Sequence, residues 1–125
     1  MSDIRKDLRY SKEHEWIRVE GNVGVIGITD FAQHELGEIV YIELPAVGET
    51  FQAHAQFGTV ESVKAASDLF IPVGGKVLEI NTDVEDAPDA INTTPYDAWM
   101  IKVEITDVSE LDQLMSADEY QAHTS

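Results

Sequence analysis

Gly58-Thr59-Val60-Glu61-Ser62-Val63-Lys64-Ala65-Ala66-Ser67-Asp68 is an extended run that halts on small residues before an apolar run resumes at Leu69. The stretch Gln56–Val63 is rich in strand formers, and Ala65, Ala66 and Ser67 suit a tight turn, so two antiparallel strands joined by a hairpin are predicted. Lys64 then projects from the hairpin with neighbours too small to cover it. A lysine so placed has two readings. It is a solvated charge that discourages edge pairing, or it is a rigidly based, accessible attachment point for a mobile arm.

Outward from this hairpin, more strand-like segments follow one another. Val23–Ile28 has the small and branched composition of a buried strand, and Glu38–Leu44 ends at Pro45, where a central strand must stop. Lys76–Ile80 is a further strand. Trp99, Ile101, Val103 and Ile105 alternate with Met100, Lys102 and Glu104, which predicts a strand with one buried face. Asp30 is placed to cap a first helix, with Gln33 three residues on and Gly37 at its stop. Ser109 is placed to cap a second, C-terminal helix carrying Leu111, Leu114 and Met115 as its apolar stripe. The polar segment from Asn81 to Tyr96 reads as a loop with room for a helical turn. The expectation is a β-rich sandwich with peripheral helices, in one domain spanning residues 1–125.

Composition narrows the function. The chain has 8 basic and 24 acidic residues, a formal net charge of −16, and so repels phosphate backbones; nucleic acid is excluded as an expected partner. A basic face on another protein is the natural complement. No apolar run is long enough to span a bilayer and the opening Met1-Ser2-Asp3-Ile4-Arg5-Lys6 has no signal character, so a cytoplasmic protein is expected, or a matrix protein if the chain is a mature mitochondrial one. Cysteine is absent, which removes disulfides, thiolate nucleophiles and cysteine metal sites; any sulfur chemistry must come from an attached group. His14, His34, His54 and His123 lack metal-ligand spacing, and no metal is expected.

The residues from Val60 to Asp68 closely resemble the lipoylation segment of glycine cleavage H proteins. The likeness extends along the chain: Tyr10–Trp16 with its His-Glu-Trp, Gly27–Gln33, Leu36–Pro45, and Asn92–Tyr96 with Trp99. It implies a barrel-sandwich hybrid of the lipoyl and biotinyl type, with lipoate in amide linkage on Lys64. It also implies a non-catalytic carrier. The aminomethyl group of glycine would pass from a pyridoxal-phosphate decarboxylase (P protein) to an aminomethyltransferase (T protein). Dihydrolipoamide dehydrogenase (L protein) would reoxidise the arm, and a lipoate ligase or lipoyl transferase would attach it. The resemblance further assigns Glu15 and Asp68 to the cleft where the arm docks, with Ser67 either capping the turn or lining that cleft, and a monomer is expected.

Two departures stand out. Phe31 replaces the His or Tyr of many relatives, and Pro95–Trp99 lacks a glycine found there in the family. The nearest alternative is an H-like lipoate-binding protein of a sulfur-oxidation or lipoate-relay pathway. A biotin carrier would have methionines beside its lysine where this chain has Val63 and Ala65. A lipoyl domain of a 2-oxoacid dehydrogenase would lack the His-Glu-Trp opening. A Schiff-base enzyme needs its lysine in a dry pocket, which a turn of alanine and serine beside Asp68 does not offer.

Overall fold

A computed structural model describes residues 3–124; Met1 and Ser2 of the opening segment, and Ser125 at the far end of the expected domain, lie outside them. The strands are β1 Arg9–Tyr10, β2 Glu15–Glu20, β3 Val23–Ile28, β4 Ile39–Glu43, β5 Thr50–Phe51, β6 Gln56–Ser62, β7 Ala66–Phe70, β8 Gly75–Ile80 and β9 Ile101–Ile105. The helices are α1 Asp30–Leu36, α2 Thr82–Asp86, α3 Ala90–Thr93 and α4 Ala117–Thr124, with a 3-10 turn at Val108–Gln113. One sheet runs β1-β2-β3-β9-β8-β5 and the other β4-β6-β7. All pairings are antiparallel. This is the expected β-rich sandwich with peripheral helices.

The main core joins the two sheets: Ile17, Ile26, Val77 and Val103 from the larger pack with Ile42, Val60 and Leu69 from the smaller. A second cluster of Leu8, Tyr10, Trp16, Val25, Tyr96, Ala117 and Tyr120 buries the other face of the larger sheet under α4. Trp16 and Ile17 are adjacent yet both buried, because β2 is covered on both faces. Trp16 lies across from Gly27, where an added Cβ would stand 2.7 Å from the indole ring. Only glycine leaves room for that ring. The indole N–H donates to the Pro95 carbonyl at 3.1 Å, so the largest side chain of the core is also polar-satisfied.

Several element boundaries differ from the sequence expectation. Thr29, not Asp30, caps α1: its hydroxyl accepts from the Ala32 N–H at 3.2 Å, while Asp30 sits in the first turn and accepts from the Gln33 amide. Gly37 does end the helix, at φ 83°. The stripe Leu111–Met115 is not an α-helix. Asp107 caps a 3-10 turn by accepting from the Ser109 N–H at 3.0 Å, and Met115 then exchanges backbone hydrogen bonds with Tyr10 at 2.9 and 2.8 Å. Pairing with the sheet claims the groups a helix would need. The C-terminal helix starts later, at a reciprocal Ser116–Glu119 capping box (2.9 and 3.3 Å). Trp99 precedes β9, and Met100, expected on the outward face with Lys102, is buried in the main core. The polar segment 81–96 holds two short helices, α2 and α3.

Candidate functional site

β6 and β7 form the expected hairpin, with its turn two residues earlier than the sequence suggests. Ser62 to Ala65 make the turn, and Ala66 and Ser67 already belong to β7. The turn closes through the Ser62 N–H to the Ala65 carbonyl at 2.7 Å. The Ser62 hydroxyl accepts from the N–H of Ala65 (3.0 Å) and of Lys64 (3.3 Å) and donates to the Ala65 carbonyl (3.1 Å). Val63 is tied to the chain before β4 by its N–H to the Glu38 carbonyl at 3.0 Å. The base of Lys64 is therefore fixed on two sides, while its exposed ammonium makes no hydrogen bond or ion pair within the described residues.

Nothing local in the sequence marks Ser62 as the brace of this turn. Ser62→Ala is expected to cost about 1 kcal/mol in denaturant unfolding, since its partners lie near water and recover part of their bonding. It should also slow acylation of Lys64 several-fold. Unchanged stability together with an unchanged acylation rate would show that the hydroxyl does not brace the turn.

Beneath Lys64 lies the end of α1. A Cβ added to Gly37 would stand 3.4 Å from Cε of Lys64, so the lysine stem crosses this glycine. Asn92 holds the same corner: its amide donates to the Gly37 carbonyl (2.8 Å) and to the Gln33 side chain (2.9 Å) and accepts from the Ile39 N–H (2.8 Å). An open cavity of about 440 Å³ adjoins it, lined by Gln33, His34, Gly37, Glu38, Asn92 and their neighbours.

At the other end of α1 stands Glu15. It opens β2 opposite Ile28, one residue before the Thr29 cap. It is a buried carboxyl at 1% exposure. One oxygen lies 2.5 Å from the Ser11 hydroxyl; the other accepts from the N–H of Phe70 on β7 at 3.2 Å. Since β7 is the edge of its sheet, Glu15 satisfies a backbone donor that would otherwise face outward. Burial pushes the Glu15 carboxyl up to about 8 against the pull of those two hydrogen bonds. α1 thus spans from Gly37, beneath Lys64, to the Thr29 cap, which follows Ile28, the strand partner of Glu15. The length of α1 from its cap to Gly37 is ~12 Å at 1.5 Å rise per residue.

Asp68 and Ser67 are exposed on β7. Asp68 accepts from the Gln56 amide at 3.1 Å, across the hairpin from Thr59; no hydrogen bond joins either residue to Glu15, which reaches β7 at Phe70 instead. Phe31 packs on His14 with ring centroids 4.7 Å apart, and the Nδ1 of His14 meets the Tyr120 hydroxyl at 2.8 Å. The glycine-free turn before Trp99 closes by Asp97 and Ala98 N–H groups donating to the Thr94 carbonyl, and Lys102 lies 4.8 Å above the Trp99 ring. Among the described residues no group of three or more histidines and acids is placed to hold a metal, and no helix is long and apolar enough to cross a membrane.

Two packed sheets that hold, on a braced hairpin, an exposed lysine whose amine has no hydrogen bond or ion pair among the described residues have the plan of a prosthetic-group carrier of the lipoyl and biotinyl class. The family described as glycine cleavage H-protein matches residues 8–125. The glycine cleavage system H protein of Carboxydothermus hydrogenoformans is 59% identical over 122 residues, covering 97% of this chain and 94% of that protein. That of Brevibacillus brevis is 61% identical over 121 residues, 96% of each. The crystal structure of a glycine cleavage system H protein from Mycobacterium marinum superposes with a TM-score of 0.87 at 40% identity, over 95% of this chain and 97% of that one. The chain belongs to the glycine cleavage H-protein family. It is a non-catalytic lipoyl-carrier subunit of the glycine cleavage system.

Proposed function

We propose that residues 1–125 act as one carrier domain whose Lys64 bears lipoate in amide linkage through Nζ. The observation that carries this reading is the exposed, unpaired amine on a turn braced by Ser62, within a chain of this family. When attached, lipoate supplies the sulfur that takes up and releases the aminomethyl group and the dithiol that is then reoxidised. The protein, which has no cysteine, supplies no competing thiol.

The chain's own residues then have positioning tasks. Gly37 leaves space for the lysine stem, and the arm runs from there toward Glu15, which is bonded to β7 at Phe70. Glu15, neutral when buried alone, would ionise beside an arriving ammonium, because a nearby cation favours the charged carboxylate. Glu15 and Asp68 would hold that cation by charge-assisted hydrogen bonds and exclude water from it, with Ser67 lining the approach. The partners are the P, T and L proteins and the ligase or transferase that attaches the arm. A monomer in the bacterial cytoplasm suits a carrier that must offer one arm to each in turn.

The test is intact mass and peptide mapping after incubation with lipoate, ATP and a lipoate–protein ligase. One lipoyl group gained, on the peptide containing Lys64, is the expected result. No gain, while a control lipoyl domain is modified in the same mixture, would refute the reading.

A further inference from the structure

The geometry points to a docking surface, built by β4 and the hairpin tip, for the enzyme that acylates Lys64; this rests on the lipoyl-lysine reading above. The register of β4 against β6 jumps from Ile39 opposite Ser62 to Tyr41 opposite Glu61. Val40 is thus an extra residue with no partner, a β-bulge. A regular strand alternates its faces, so Val40 and Tyr41 would point opposite ways. The bulge turns both outward instead: each is 49% exposed, between buried Ile39 and Ile42. Val63, the residue before Lys64, is 67% exposed and is anchored to Glu38 just ahead of β4. Three large apolar side chains therefore face water beside the one lysine to be modified. A contiguous apolar patch with a polar rim marks an interaction site.

Its rim is acidic. Glu38, Glu43 and Glu61 are exposed; the Glu38 carbonyl accepts from the Val63 N–H, Glu61 pairs with Tyr41 and Glu43 is two residues on from Tyr41 in β4, on a protein of net charge −16. The complement is an apolar patch with a basic border. Reach selects which partner it serves. The acylating enzyme must bring an activated carboxyl to Nζ itself, one lysine side chain from the turn, so its surface cannot avoid Val63 and the bulge. Enzymes that work at the distal end of the finished arm meet the protein a full arm's length away.

The test compares wild type with Val40→Thr, Tyr41→Thr and the double variant, which keep β-forming residues on an exposed strand. Acylation by a lipoate–protein ligase with ATP, Mg²⁺ and lipoate is followed against carrier concentration. Each carrier is then driven to full acylation, and its turnover by dihydrolipoamide dehydrogenase is measured. The double variant is expected to raise the ligase KM for the carrier about tenfold with kcat unchanged, to melt with wild type, and to leave the dehydrogenase KM unaltered; added salt should raise the wild-type ligase KM. An unchanged ligase KM overturns the assignment. So does an equal rise with both enzymes, or a wild-type dimer that the double variant dissociates, which would give the patch to a second copy of this chain. A wild type that is never acylated overturns the lipoyl-lysine reading and the docking surface with it.

Discussion

Lys64→Arg is expected to fold like wild type, gain no lipoyl group, and reduce glycine cleavage in a reconstituted system to background. The substitution keeps charge and length on an exposed turn, so stability should change by less than about 0.5 kcal/mol. Acylation needs a nucleophilic neutral amine, whereas guanidinium stays protonated at any accessible pH. The remaining lysines do not substitute for it. Lys76 is inside β8, paired between Thr50 and Glu104. Lys102 is in β9, over the Trp99 ring and 3.8 Å from Glu79. Lys6 precedes β1, and Lys12 is exposed in the short turn from β1 to β2, away from the Val60–Asp68 segment that carries the family likeness. The measurement is intact mass, release of carbon dioxide from glycine, and thermal melting on one preparation. Residual turnover in a variant shown to be unmodified would mean that the transferred group travels by some other route.

How far the sequence alone carries differs from residue to residue. β4 and β9 are legible because each alternates or ends at a residue that cannot continue a strand, β3 because its small and branched composition marks a strand buried on both faces, and β6 because it is rich in strand formers. β2 was hidden: Trp16 and Ile17 are buried on opposite faces, one in each apolar cluster, so no alternation marks it. β7 was masked because its first three residues, Ala66, Ser67 and Asp68, are small or polar and exposed. They pass for a turn until the pairing of Ala66 with Glu61 is seen. The C-terminal helix was expected too early, since nothing local reveals that Tyr10, over a hundred residues away, pairs with Met115. Lys64 stood out only through family resemblance; spacing alone leaves it an ordinary turn lysine. The same resemblance alone points to Glu15, and its burial and its bond to Phe70, 55 residues distant, belong to tertiary structure. The bulge at Val40 is equally silent in sequence, because the break in alternation is defined by the partner strand.

That burial makes Glu15 the source of the second large effect: Glu15→Gln is expected to stabilise the protein increasingly as pH rises from about 4.5 to 9. Burial pushes the folded carboxyl up to about 8 from its ordinary value of 4.5. Below 4.5 both folded and unfolded chains hold the proton, and wild type loses nothing. Between those values the unfolded chain releases it while the folded chain keeps it, so stability falls with rising pH until about 8, where the loss is complete. The full interval corresponds to on the order of 5 kcal/mol, a large part of the margin of a domain this size. Glutamine reproduces the neutral acid in this setting. Its amide N–H donates to the Ser11 hydroxyl and its carbonyl accepts from the Phe70 N–H, replacing the bonds at 2.5 and 3.2 Å. The variant therefore keeps the link from β2 to the edge of β7 and removes only the ionisation. Urea unfolding at pH 4 should give equal stabilities for the two proteins, and at pH 9 a gap of a few kcal/mol in favour of the variant. A difference that stays constant across that range would mean that Glu15 ionises alike in both states. If Glu15 also holds the loaded arm, the more stable variant should release ammonia from that arm faster than wild type. Stability and shelter would then move in opposite directions, which mere loosening of the fold cannot produce.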